Sequence, residues 1–295
     1  MHRLIAFALL AACATRAQAH HAEAAAGAAP FEILLAGLLL AGAVFYVRGI
    51  ARLWRKAGAG RGIRRRELAS FALGWACLAV ALLSPIDAVA EFSFAAHMVQ
   101  HELLMVVAAP LIVLGRPVET FAWGVSTAAA QAFAAAARTD FIQAVWRPLT
   151  SPLGTWGLHA LALWVWHVPA LFELALHHFG WHVTQHVCFF VSALGFWWSV
   201  FARGPRSADG LAMASLFTTM LHTSALGALL TFAPTAWYPL DGSVAFGLTA
   251  LEDQQLGGLV MWVPGGMAYM VAGLAVVRRW LVAGRGVGLG EAELR

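Results

Sequence analysis

Long apolar runs recur along the whole chain and are separated by short polar connections. A transmembrane helix needs about 20 mostly apolar residues, and seven runs reach roughly that length. They cover residues 31–48, 67–84, 93–115, 150–169, 181–202, 209–233 and 257–279. The pattern therefore predicts an all-α polytopic membrane bundle of seven transmembrane helices, formed as a single domain by residues 20–295. Pro264, Gly265 and Gly266 break the last run, which is tolerated where neighbouring groups or water satisfy the freed backbone.

The first 19 residues have the pattern of a secretory signal peptide. Arg3 precedes an apolar core, and a small-x-small site ends at Ala19, where cleavage would leave His20 as the new N-terminus. An alternative interpretation takes LAAC as a lipoprotein box and makes Cys13 the acylated residue. Both interpretations stay open.

Composition argues against a soluble protein. The 295 residues are 61% hydrophobic and only 12% charged, whereas soluble domains carry about 25% charged residues. The chain has three cysteines and no CxxC pair, so a thiolate metal clip is not expected.

The positive charges predict how the chain is oriented in the membrane. The connection at 48–66 is densely basic, and arginines follow the third, fifth and seventh runs, whereas the connections at 85–92, 170–180 and 234–256 contain no Lys or Arg. We therefore expect the N-terminus outside and the C-terminus in the cytoplasm. Contact with anionic membrane lipid explains the basic connections, so no nucleic-acid partner is expected. The Ala-rich segment 118–146 is interpreted as an interfacial helix on the cytoplasmic face, with an eighth membrane-dipping segment as the alternative.

Two histidine pairs stand at the predicted outer ends of the third and fifth spans, in HMVQH and WHVTQH. His97 and His101 are four residues apart, as are His182 and His186, so each pair shares one helix face. Both helices run inward from the outer side and the pairs share a depth, at which His167 ends the fourth span. Imidazoles so placed can converge on a metal ion at about 2.0–2.1 Å. We expect a ring of the first pair within about 8 Å of a ring of the second.

The surroundings of these histidines favour copper as the metal. Imidazole suits copper, zinc, iron and nickel, whereas thioether sulfur favours Cu(I). Met98 follows the first histidine directly, and an outward-facing site that is rich in His and Met and poor in thiols suits copper handling.

Four further polar residues are candidates for supporting roles. Glu102 could orient a ligating ring. Because it directly follows His101, it points to a different side of the helix, and contact with the fourth span is the alternative. Glu252 and Asp253 are expected either to cap an interfacial helix or to bring a carboxylate to the histidines. For His222, a role in the site and a role in the core both stay open. His159 is expected to be a hydrogen-bonded core residue.

Four sequence blocks, spread over roughly residues 30–280, resemble the CtaG-type cytochrome c oxidase assembly family, whose members are polytopic proteins of bacterial membranes. The blocks are HMVQHELLMVVAAPLIVLGRP, WVWHVPALFELALHH, WHVTQHVCFFVSALGFWW and LEDQQLGGLVMWVPGG. The resemblance implies a non-enzymatic role in maturing a haem–copper oxidase, through delivery of copper to it. An oxidase subunit and a copper donor protein are the implied partners, and the bacterial inner membrane is the implied location. Carried over by position, the implied site residues are His97, His101, His167, His182, His186 and Asp253.

Two other functions are compatible with the histidines. A haem-binding membrane protein would use His101 and His186 as axial ligands across two helices, and a Soret band would reveal it. A membrane di-iron oxidase would use HHFGWH as a histidine box, but such boxes face the cytoplasm, whereas the charges place these histidines outside.

Overall fold

The computed structural model describes residues 25–201, 206–238, 240 and 246–292. The predicted signal peptide and the alternative acylation site at Cys13 lie outside these residues. The described chain is helical and contains no strand, as expected for an all-α fold. Its α-helices are α1 Ala25–Ala57, α2 Arg65–Leu83, α3 Pro85–Ala90, α4 Phe94–Glu102, α5 Ala109–Leu114, α6 Pro117–Gly124, α7 Thr127–Ala136, α8 Asp140–Thr150, α9 Pro152–Trp166, α10 Pro169–His177, α11 Phe179–Phe201, α12 Arg206–Thr231, α13 Ala250–Val260 and α14 Gly266–Ala292.

Six helical segments of the described chain are long and apolar enough to cross a membrane. They are Pro30–Ala57, Arg65–Leu83, Phe94–Leu114, Phe179–Phe201, Asp209–Thr231 and Ala250–Val282. Large apolar side chains cover their outer faces, such as Leu73, Leu221 and Leu274, each about 60% exposed. Exposed apolar area on this scale is unsuited to water and suits lipid, so the protein is a helical membrane bundle.

The fourth predicted span differs from the expectation of one straight helix over 150–169. Helix α9 is only 15 residues long, and it bends by 77° into α10. The bend falls at Val168, because the residue before a proline is disfavoured in helical conformation and Pro169 starts the next helix. The total reaches seven spans only if this bent pair is counted as one.

Two spans contain a π-helical turn. Leu103–Ala108 joins α4 to α5, and Met261–Gly265 joins α13 to α14. The Pro264–Gly266 sequence therefore widens the last span without interrupting it. A Cβ atom at Gly265 would lie 2.9 Å from Glu102 Oε2, so the second turn packs closely on the end of α4 and a glycine fits best at this contact.

The segment 118–146 forms short helices, none long enough to be an eighth span. Helix α6 packs on α1, where the Arg52 guanidinium donates to the carbonyls of Gly124 and Val125 at 3.0 and 2.8 Å. A cation on the last carbonyls of a helix stabilises its C-terminus. Helices α7 and α8 bury no residue, and their location at a membrane surface stays a prediction.

The packing brings the two histidine-bearing helices together. Helix α4 packs on α3 and α13, and α11 packs on α5, α9 and α10. A small apolar cluster containing Phe94, Met98 and Phe172 lies beside the start of α4. A larger cluster, which includes Phe196 and Trp197, fills the rest of the bundle. The histidines lie where these two apolar regions meet.

Candidate metal centre

The last span holds the start of the His97 helix in place. Asp253, fully buried on α13, accepts hydrogen bonds from Ser93 Oγ at 2.7 Å, Phe94 N at 2.5 Å and Ala95 N at 3.2 Å. The first amides of a helix have no partner within the helix, and a carboxylate is favourable at that end of the helix dipole. Asp253 is therefore the N-terminal anchor of α4, and its hydrogen bonds go to backbone and Ser93 rather than to an imidazole.

Four imidazoles form one compact cluster. Ring centroids lie 4.3 Å apart within each pair, 5.6 Å apart for His97 and His182, and 5.3 Å apart for His101 and His186. The expected approach of the two pairs to within about 8 Å is confirmed. His97 and His101 are 1% exposed, so the cluster is withdrawn into the bundle.

Three of these residues have ligand atoms close enough to share an ion. One ring nitrogen from each of His97, His182 and His186 lies within 4.8 Å of the others. His182 Nε2 and His186 Nε2 are 3.2 Å apart, and two ligands at about 2.05 Å in tetrahedral geometry would be roughly 3.3 Å apart. With one of the two rings protonated at Nε2, the same contact is an N–H···N hydrogen bond. The spacing therefore suits either a metal ion or a shared proton.

Backbone carbonyls determine which nitrogens are left for a ligand. His97 Nδ1 lies 3.3 Å from Ala90 O, and His167 Nδ1 lies 2.6 Å from Leu163 O. A carbonyl can only accept, so both Nδ1 atoms donate and both Nε2 atoms keep a lone pair. Metal-ligating histidines are commonly oriented by such a second hydrogen bond.

Several ring nitrogens of the cluster and of the nearby His167 are buried without a hydrogen-bond partner among the described residues. They are His97 Nε2, both ring nitrogens of His101 and His167 Nε2. An unpaired buried polar group costs about 1–3 kcal/mol, and an unsatisfied group in a native structure calls for an explanation. A bound ion would supply the missing partner.

His167 lies behind this cluster. Its ring is 5.9 Å from that of Phe189, which also contacts the ring of His101 at 4.6 Å. Tyr238 donates from its hydroxyl to His167 O at 2.8 Å. Burial raises the pKa of Tyr238, so its phenol stays a neutral donor.

Sequence reasoning missed the glutamines of the two histidine pairs. Gln100 and Gln185 are fully buried. Gln100 Nε2 donates to Ala81 O and to Asp87 Oδ1, at 2.9 and 2.6 Å. The side-chain amide of Gln185 has no hydrogen-bond partner by strict geometry within the described chain, although it lies beside His97. The available signal was the repetition of HxxQH in HMVQH and HVTQH.

The other predicted supporting residues lie apart from the histidines. Glu102 packs on Gly265 of the last span. Glu252 is exposed and accepts from Thr249 N and Oγ1, both at 2.9 Å, so it caps α13. Met98 is buried in the apolar cluster with Phe94.

His159 and His222 are separate from the four-histidine cluster. His222 lies beside Trp156, with ring centroids 6.3 Å apart. Ser192 Oγ donates to Phe189 O at 3.1 Å, so it accepts from His159 Nδ1 at 3.1 Å. His159 is therefore a hydrogen-bonded core residue, as expected.

Comparison with known proteins gives one match. The family model described as cytochrome c oxidase caa3 assembly factor matches residues 44–283, which include every helix that carries a cluster histidine. Neither a curated protein nor a solved structure matches the chain.

Proposed function

Since the chain belongs to the family of cytochrome c oxidase caa3 assembly factors, we propose that it binds copper at the four-histidine cluster and assists its delivery to a haem–copper oxidase. The observation that carries the proposal is the convergence of His97, His182 and His186, whose ligand atoms lie within 4.8 Å of one another. The role is binding and transfer of a cargo ion, without a catalytic step.

The donor set supports copper in its monovalent state. Imidazoles bind metal as neutral ligands, so the cluster itself supplies no negative charge. Buried charge is costly unless it is balanced, so a set of neutral ligands suits a monovalent ion better than a divalent one. Nitrogen ligands without thiolate are within the range that copper accepts.

Transfer requires that the ion can exchange ligands. The ring of His101 lies 4.3 Å from that of His97 and 5.3 Å from that of His186. His167 lies on the far side of Phe189. Both have ring nitrogens without a partner in the described part of the protein. They provide further imidazoles onto which the ion can move while it is received from a copper donor protein or passed to an oxidase subunit.

The proposed location of the cluster is the outer face of the bacterial inner membrane. His97 lies near the start of the span Phe94–Leu114, and Arg116 follows its end. The 21 residues of that span cover about 30 Å, so the histidines and the basic residues are at opposite ends. Basic residues favour the cytoplasmic side, which puts the histidines outside.

The direct test is copper binding by the purified full chain. We expect the wild type to bind Cu(I). In His97→Ala/His186→Ala the affinity for Cu(I) should fall by at least about 10–100-fold. His178→Ala is the matched control, because His178 is an exposed histidine beyond the cluster. Equal copper retention by all three proteins would refute the proposed site.

The cellular test is oxidase activity in membranes. His97→Ala/His101→Ala should lower the activity at unchanged abundance of the chain, and added copper should rescue it in part. Normal oxidase activity at normal abundance of the chain would show that His97 and His101 only form a hydrogen-bonded helix end. The visible spectrum of the purified protein tests the haem alternative. A Soret band would show that the histidines bind haem and not copper.

A further inference from the structure

A cavity of about 560 Å³ lies at the basic end of the bundle, away from the histidines. It opens between the start of α2, the end of α5, the start of α6 and the end of α11. Its lining includes Arg66, Ser70, Leu114, Arg116 and Trp198. One side is thus polar and the other apolar.

Two arginines and two glutamates line this cavity. The carboxylate of Glu119 accepts from Arg116 at 3.1 and 3.2 Å, and Glu67 accepts from the backbone N–H of Arg64 at 2.7 Å. Arg66 makes no hydrogen bond or ion pair to any described residue, and Ser70 lies one turn further on the same face of α2. The helix dipole adds positive potential at this N-terminus. Glu67 keeps its charge, but its carboxylate is held at the helix cap, so Arg66 and Ser70 are the groups that can receive an anion here.

An apolar groove continues from the cavity along the membrane-facing side of the bundle. Leu114 and Phe201 belong to both, and the groove has a volume of about 740 Å³. Its wall on the last span runs from Met267 to Arg279, a length of about 18 Å at 1.5 Å per residue. One leaflet is about half of the 30 Å hydrocarbon core, so the groove covers one leaflet.

We propose that the cavity and the groove together bind one anionic phospholipid. Its phosphate is held by Arg66 and Ser70, and an acyl chain lies in the groove against Met267 and Val271. Basic pockets between membrane helices are suited to anionic headgroups. A transmembrane helix of a partner protein would need a groove of about 30 Å, so the one-leaflet length favours lipid.

The test compares two lipids with identical acyl chains, phosphatidylglycerol and phosphatidylcholine, added to the delipidated full chain. Native mass spectrometry counts the retained lipid, and a thermal melt measures the protection. We expect preferential binding of phosphatidylglycerol, weakened about fivefold in Arg66→Gln, as for the loss of one basic residue near an anionic surface. Arg65→Gln is the matched control, because Arg65 is an exposed neighbour on α2 that does not line the cavity.

Two further arms separate headgroup from chain. Inorganic phosphate and short-chain phosphatidylglycerol should protect the wild type much less than the long-chain lipid. Ala272→Phe, which fills the groove, should reduce retention of both long-chain lipids. Equal binding of the two lipids by the wild type would overturn the proposal, as would equal losses in Arg66→Gln and Arg65→Gln. Full protection by inorganic phosphate would show that the cavity binds an anion and not a lipid. A changed oligomeric state in Ala272→Phe, with unchanged retention of lipid, would show that the groove binds a second copy of the chain.

Discussion

Asp253→Asn tests how the last span supports the histidine cluster. The two carboxylate oxygens together accept from Phe94 N, Ala95 N and Ser93 Oγ. Asparagine has the same shape, but its NH₂ group must face at least one of the backbone donors in either orientation of the amide. One buried N–H then loses its acceptor at a cost of about 1–3 kcal/mol, and the lost charge at the helix N-terminus adds about 0.3–2 kcal/mol. We expect the free energy of unfolding to fall by about 1–5 kcal/mol.

The same change should weaken copper binding, because α4 carries His97 and His101. Partners that orient a ligand are worth about 10–100-fold in metal affinity, and we expect a loss in that range. Unfolding in sodium dodecyl sulfate, followed by tryptophan fluorescence, measures stability. Competition with a chromogenic Cu(I) chelator measures affinity.

Glu252→Gln is the control for Asp253→Asn, since the two acids are adjacent and both lie in the first turn of α13. Glu252 is exposed and caps only its own helix. Its variant should bind copper like the wild type. Wild-type stability and affinity in Asp253→Asn would refute the anchoring role of Asp253, and equal losses in both variants would show that any charge change near this helix end has the same effect.

Three other changes test separate parts of the structure. Gln185→Leu should lower copper affinity about tenfold, because the amide lies beside the His97 ring and can pair with it when the ion is bound. The stability of the copper-free protein should not fall, because the buried amide makes no hydrogen bond within the described chain; an unchanged chelator titration would contradict the prediction. Gly265→Val should lower the stability of the protein by about 1–3 kcal/mol through overpacking against Glu102. In a double-mutant cycle, Glu102→Ala should recover part of this loss. Strictly additive effects would exclude the contact. Tyr238→Phe should cost about 1 kcal/mol through loss of the hydrogen bond to His167 O, and an unchanged unfolding curve would show that this bond contributes nothing.

Local patterns predicted most of the architecture. The apolar runs recovered the span Phe94–Leu114 almost residue by residue, because membrane-spanning length is a property of a single segment. The bend at Val168 was missed, although Pro169 marks it, because an apolar run continues through the break. The early start of the last span at Ala250 was missed because Glu252 and Asp253 resemble a polar connection.

The sequence by itself determined the class of the protein and the grouping of histidines within each pair, since the helical period places residues four apart on one face. It could not determine how one helix is rotated against another, because that depends on which side chains interlock across the bundle. Only the tertiary structure placed His97 beside His182, turned Glu102 toward Gly265 and brought Asp253 to the start of α4, 160 residues away along the chain from Ser93. The candidate metal centre is made of contacts between distant segments, and these follow from packing, which no local pattern records.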